Sequence, residues 1–402
     1  MKTPTPAFLR KMLLPGLLLL LVPGMLRAYL MMPLPGSQDL EAIGVAYLLE
    51  RSLPFTRIVG ILLMISPVIH AFRSGTTARR IVVGVVCIAC AGIIYLTDSF
   101  FSAEKMFREP ITKSFTGVQG SKVDLGKLVI GIEHDGVAKA YPINYLGYHH
   151  KVQDSVAGMP VLVTYCTMCR TGRAFSPIIE GRHQEFRLVG ARHYNAIIED
   201  QTTKSWWYQE SGEAAAGPLS GSRLQDIPYE QITLKSWIER HPNTLILQPD
   251  MNFADDYAEL TNYDRAMRVQ KDSSGNLPAW QRKSWVIGVA LSGEARAYDW
   301  NDLARLRTIN DLLGSSPLVV ALEDDTVSYH VWSRAVGERI LDLVIDPTSH
   351  LLQDTSTGSL WDWQGECVQG DRKGTRLEKI QAHQEYWHSW QNFHKNTSRW
   401  NG

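Results

Sequence analysis

The chain repeats itself. Val129-Ile-Gly-Ile-Glu-His-Asp-Gly-Val-Ala-Lys-Ala-Tyr141 returns as Val286-Ile-Gly-Val-Ala-Leu-Ser-Gly-Glu-Ala-Arg-Ala-Tyr298, at an offset of 157 (286 − 129). The register holds without a gap through Asn144/Asn301, Asp154/Asp311 and Pro160/Pro317. Further on, Asp200, Ser205 and Trp207 match Asp354, Ser359 and Trp361, and Trp237, His241 and Asn243-Thr244 match Trp390, His394 and Asn396-Thr397. So many matches in order mark a tandem duplication, one structural unit used twice. A residue kept at matched positions is explained by the fold the copies share. A reactive group found in one copy only is a candidate for function.

Each copy opens with a hairpin signal. Residues 128–133 and 137–141 flank His134-Asp135-Gly136, and Ser292-Gly293 stands at the same place in the second copy. Asp-Gly suits the turns that match right-twisted strands. A short helix is expected over 143–148 (302–306), then an apolar strand over 161–165 (318–322), short strands, and a helix around 234–240. The expected fold is α+β, mostly antiparallel β, as a tandem duplicated β-rich domain. Copy one covers 114–249, a polar linker 250–284, and copy two 285–402. Trp207/Trp361 and Trp237/Trp390 read as packing residues. Asp154/Asp311 and Asp200/Asp354 read as turn or cap residues.

Ahead of the repeat stand three apolar segments, at about 12–32, 57–73 and 80–97, which read as transmembrane helices. A secretory signal peptide fits the first less well, because two more apolar segments follow. Lys2, Arg10 and Lys11 precede the first segment, and Arg73, Arg79 and Arg80 lie between the second and third. The intervening loop carries Asp39, Glu41 and Glu50, so the positive-inside rule puts the N-terminus inside and everything after Asp98 outside. The expectation is an inner-membrane protein with a large periplasmic or extracellular C-terminal part, and the lipid bilayer as partner. Residues 40–49 are expected to form a short helix at the outer surface. With 41 basic and 41 acidic side chains, no bulk charge points to nucleic acid. No nucleotide-cofactor motif stands out.

The copies differ where chemistry is concentrated. Copy one has Cys166-Thr-Met-Cys169 at the end of its apolar strand, where copy two has Glu323-Asp-Asp-Thr326. His149-His150 face Leu306-Arg307, and His193 with Asn195 lies in a stretch copy two does not reproduce. Thiolate and imidazole are the usual ligands of copper and zinc, and two Cys separated by two residues converge on one ion in a tight knuckle. The leading reading is a transition-metal site of Cys166, Cys169 and His149, with His150 and His193 as spare ligands and Asn195 and Gln209 as hydrogen-bond support. A thiol–disulfide redox pair is the alternative; it requires an exposed Cys166 and is disfavoured by Gly172 and Pro177, which leave no helix to start at Cys166. A binding or scaffold module, or a plain disulfide, completes the set. Cys87 and Cys90 fall inside a span and read as packing residues, as does Cys367. Whether the protein is an enzyme is left open, as are its substrate and protein partners.

The residues resemble a family. Ala140-Tyr-Pro-Ile143, His149 with Asp154, Pro160-Val-Leu-Val-Thr-Tyr-Cys-Thr-Met-Cys169, and Asp200-Gln-Thr-Thr-Lys-Ser-Trp-Trp-Tyr-Gln209 followed by Gly212-Glu-Ala214 and Gly217 are similar to domain of unknown function 3179 (DUF3179). The likeness runs from about Ser114 to the C-terminus. Where the family pattern shows Asn before the Asp and Pro after the first Cys, this chain has Gln153 and Thr167. The resemblance implies the domain and no activity.

Overall fold

The computed structural model describes residues 6–261, 263 and 280–402, so the middle of the expected linker, 262 and 264–279, lies outside the described residues. The described chain divides into two compact units, and the division cuts across the sequence repeat.

The first unit comprises residues up to Arg108 with Gln184–Tyr208 and Glu213–Arg223. Three helices, α1 (Pro6–Met31), α2 (Ile43–Ser74) and α3 (Thr77–Tyr95), are long and apolar enough to cross a membrane. The expected surface helix over 40–49 is instead the start of α2. Helix α1 continues through Pro15 and Pro23 and α2 through Pro54 and Pro67, as helices in lipid tolerate. α1 and α2 meet at glycines: a Cβ on Gly60 would lie 2.7 Å from Leu20, and one on Gly16 2.9 Å from Met64, the close backbone approach typical of membrane helices.

Against these helices packs a four-stranded antiparallel sheet of Phe186–Arg192, Asn195–Asp200, Trp206–Tyr208 and Ala214–Ala216. Leu30, Met31 and Ala46 from the helices share an apolar cluster with Val189, Ile197, Trp206 and Ala216. Ion pairs ring it. Arg187 bonds Glu199 (2.8 Å), Glu50 (3.0 Å) and Glu104 (3.2 Å), Arg51 bonds Glu199, and Arg27 bonds Glu50 (3.2 Å). Trp206 Nε1 donates to Glu199 at 2.8 Å. In copy two the corresponding row, Val344, Gln353 and Leu360, carries no charge. The charges appear only in the copy whose sheet meets helices.

The second unit holds the rest of copy one and all of copy two. Here the duplication is explicit. In copy one the sheet order is Leu245–Leu247, Val137–Pro142, Leu128–His134, Glu230–Thr233, with Phe115–Thr116 added at one edge. In copy two it is Ser398–Arg399, Glu294–Asp299, Trp285–Leu291, Ala382–Tyr386. Each sheet has one parallel pair among antiparallel ones. Three-stranded sheets follow in both: Lys151–Val156, Met159–Cys166, Thr171–Phe175, and Thr308–Leu313, Ser316–Leu322, Tyr329–Ser333. Apolar residues from the first strands, the short helix and the three-stranded sheet fill a core in each copy.

Matched residues do matching structural work. Trp237 lies on Gly131 and Trp390 on Gly288, and the indole nitrogens donate to Thr244 and Thr397, both at 2.8 Å. His241 and His394 pack on these rings at 4.0 and 3.7 Å. Asp200 and Asp354 accept the Thr203 and Thr357 amides (2.6 and 3.0 Å) as expected of turn residues. Asp154 and Asp311 do otherwise. They accept from Lys139 and Tyr141, or Arg296 and Tyr298, on the neighbouring strand, and so bind strands rather than cap a turn.

The copies meet through Gln231 Nε2, which donates to Gln384 Oε1 at 2.6 Å. These two positions correspond, so a pseudo-two-fold axis passes between the edge strands Glu230–Thr233 and Ala382–Tyr386, as in an isologous dimer.

Candidate functional site

A pseudo-two-fold axis creates two equivalent junctions. In each, the turn after one copy's central strand faces the edge strand and last helix of the other. The sequence fills these two places with different chemistry.

In the first junction, strand Met159–Cys166 ends in a four-residue turn and returns as Thr171–Phe175. Cys166 and Cys169 form no disulfide, and both are 0% exposed. Cys169 Sγ lies 3.8 Å from the Cys166 carbonyl, and the Cys169 carbonyl accepts the Tyr386 amide of copy two at 2.9 Å. Tyr263 OH donates to the Thr167 carbonyl at 2.7 Å. Gln209, expected as support, donates to Thr164 Oγ1 (2.9 Å) and the Thr171 carbonyl (3.0 Å) and so braces the turn from below.

Two guanidiniums flank the pair and differ in kind. Arg173 is bonded to Glu210 at 2.5 Å and Glu385 at 3.3 Å, all three buried. Thr171 Oγ1 donates to Glu385 at 3.1 Å, and His394 lies 3.4 Å from Glu210. Burial, with Glu210 adjacent, lifts the Glu385 carboxyl well above the usual range. Burial opposes ionisation of Glu210 too, but Arg173 and His394 outweigh it and hold that group low. Of the two carboxyls, Glu210 is therefore the one matched to Arg173, and Glu385 the one that holds a proton more readily. Arg170 has no such partner. Its guanidinium lies over the rings of Tyr263 and Trp285, 4.1 Å from each, donates to the Tyr263 carbonyl, and makes no ion pair among the described residues, although it is only 3% exposed.

In the second junction Glu323 stands where copy one has Cys166. It accepts from His330 Nε2 (2.6 Å), Arg240 (2.9 Å) and Ser236 Oγ. Burial favours the neutral acid, yet His330 and Arg240 prevail and pull Glu323 down to about 2. Lys379 and Arg240 likewise overcome burial at Glu230 and bring it to about 2. A carboxyl lowered in the folded state contributes stability that is complete above the unfolded value, near 4.3. That contribution is lost as pH falls from there through about 2. The melting temperature of the full-length protein should drop across this window, and Glu323→Gln should flatten part of the drop. A wild-type profile level between pH 4.5 and 2 contradicts the assignment.

The histidines go elsewhere. His149 ends the helix Ile143–His149, with Nε2 2.6 Å from Tyr257 OH and its ring boxed by Phe253, Tyr148 and Tyr257 at 5.0–5.5 Å. His150 takes a left-handed conformation (φ 61°), and burial lowers it to about 4. His193 and Asn195 belong to the first unit, where His193 lies 3.4 Å from Glu41. Among the described residues no three His, Cys, Asp or Glu side chains are grouped to hold a metal, so Cys166, Cys169 and His149 are not assembled as a ligand set. Sequence reasoning did not find Glu385, Glu210, His394 or the Glu323–His330 pair. The one available signal was that the residue opposite Cys166 in the repeat is a carboxylate.

The family described as a protein of unknown function (DUF3179) matches residues 111–397. No curated protein and no solved structure matches the chain.

Proposed function

The chain belongs to the DUF3179 family, and we propose that this member is a membrane-held extracytoplasmic protein whose Cys166 and Cys169 bind a soft transition-metal ion, copper(I), as a pair of thiolates. The observation that carries this reading is the one-for-one exchange of Cys166 for Glu323 at the same turn of the two junctions. In copy two that place holds a buried, compensated anion. The same turn in copy one therefore suits a thiolate, the form in which cysteine binds metal.

Charge favours it as well. Two thiols binding one copper(I) release two protons and leave a net charge of −1, and burying a charge without a counter-ion is costly. Arg170, next in the chain to Cys169 and without a carboxylate partner among the described residues, supplies the counter-ion. Soft thiolates select copper(I), whereas structural zinc calls for four ligands. With two donors at hand, copper(I) is the better fit, and His149 joins only if its bond to Tyr257 opens. Thiol–disulfide exchange with another protein is the weaker reading, since reactive thiols are partly exposed and these are 0% exposed.

The test is copper(I) competition against a chromophoric chelator, using the full-length protein in detergent. One copper(I) per chain is expected in wild type and in Cys367→Ser, and none in Cys166→Ser or Cys169→Ser. Equal binding by wild type and Cys166→Ser sinks the proposal.

A further inference from the structure

The stretch that copy two does not reproduce, around residues 189–195, makes a hairpin tip in the first unit. Strands Phe186–Arg192 and Asn195–Asp200 are joined by His193 and Tyr194, both left-handed (φ 51° and 60°). Such two-residue turns prefer Asn-Gly, and strained backbone on bulky residues persists where something else requires it. The tip sits on the loop between α1 and α2. Arg192 Nη1 donates to the Ser37 carbonyl at 3.0 Å, and the Tyr194 amide donates to Gln38 Oε1 at 3.1 Å.

Arg192 is then left incomplete. It is 1% exposed, yet Nε and Nη2 have no hydrogen-bond partner. Buried Nε atoms of Arg27, Arg57, Arg170 and Arg240 also lack a partner, but among the described residues Arg192 alone has two such buried nitrogens. Those two lie on one edge of the guanidinium, the fork that grips both oxygens of a carboxylate or phosphate. The nearest anion, Glu41, stands 3.8 Å from Nη2, beyond hydrogen-bond range, and its side chain is 76% exposed. The unpaired edge thus faces a solvent-reached carboxylate that also lies 3.4 Å from His193 Nε2, and an incoming oxyanion displaces it. Leaving two donors of a buried cation unmade is expensive.

We propose that Arg192 is an oxyanion-binding residue whose Nε/Nη2 edge receives two oxygens of a phosphate group, in place of Glu41, beside the α1–α2 loop. A phosphate of this kind comes either from solution or from a lipid headgroup. The full-length protein in dodecyl maltoside, at constant ionic strength set with chloride, is titrated with inorganic phosphate and separately with short-chain phosphatidylglycerol, reading the melting temperature. A saturable rise with inorganic phosphate identifies a soluble oxyanion, and a rise with the lipid alone identifies the headgroup. Arg192→Gln abolishes the response. Glu41→Gln, a change at an exposed side chain, tightens binding by about tenfold by removing a like charge. Two flat titrations, a response that survives Arg192→Gln, or an affinity unmoved by Glu41→Gln overturns the proposal.

Discussion

Arg173→Met should destabilise the full-length protein by about 3–5 kcal/mol, the usual result of removing one partner from a buried ion pair. The side chain is 3% exposed and its partner Glu210 1% exposed, so neither water nor a mobile surface group can replace the guanidinium. His394, at 3.4 Å, remains as the nearest compensating group. The cost arises from the stranded Glu210 anion, so it should shrink when that anion is removed. Arg173→Met with Glu210→Gln should lose less than the two single changes added together, as contacting residues do in a double-mutant cycle. Additive effects would show that the pair is not coupled. Denaturant melts in detergent decide between these outcomes.

Gly288→Ala should cost about 3 kcal/mol, the upper part of the range for forcing a methyl group into a packed core. The new Cβ would lie 2.2 Å from Cε3 of Trp390, and His394 stacks against that ring at 3.7 Å and blocks its retreat. Gly131→Ala meets Trp237 at 2.4 Å in the same way. Both glycines are in the middle of strands, so the requirement is space rather than turn conformation. Trp390→Phe should recover part of the Gly288→Ala loss by shrinking the opposing ring. No recovery would place the strain in the backbone instead.

Much of this was legible in the sequence for a definite reason. Repeats and apolar spans are patterns along the chain. Val129–Tyr141 against Val286–Tyr298 disclosed the duplicated unit, and the three apolar segments fall on α1, α2 and α3. What escaped depends on pairs far apart. Arg173 and Glu385 are separated by 212 residues and meet across a pseudo-two-fold axis that no local pattern encodes. His149 and His150 adjoin the thiol strand in sequence, yet the helix Ile143–His149 ends by committing His149 to Tyr257, 108 residues later. Asp154 looked like a turn residue because Asp often is one; its bonds to Lys139 and Tyr141 cross between strands. The contrast of Arg187 and Glu199 with Val344 and Gln353 was available, but its meaning appears only once the copy-one sheet packs on the membrane helices. That packing is also why the whole chain, rather than a fragment lacking the helices, is the object to measure.

The central claim is a two-thiolate site, and copper K-edge X-ray absorption on the copper(I)-loaded full-length protein addresses it most directly. Two sulfur neighbours and no nitrogen, with the signal lost in Cys166→Ser, is the predicted result. A first shell of nitrogen or oxygen, or a spectrum unchanged in Cys166→Ser, would contradict it.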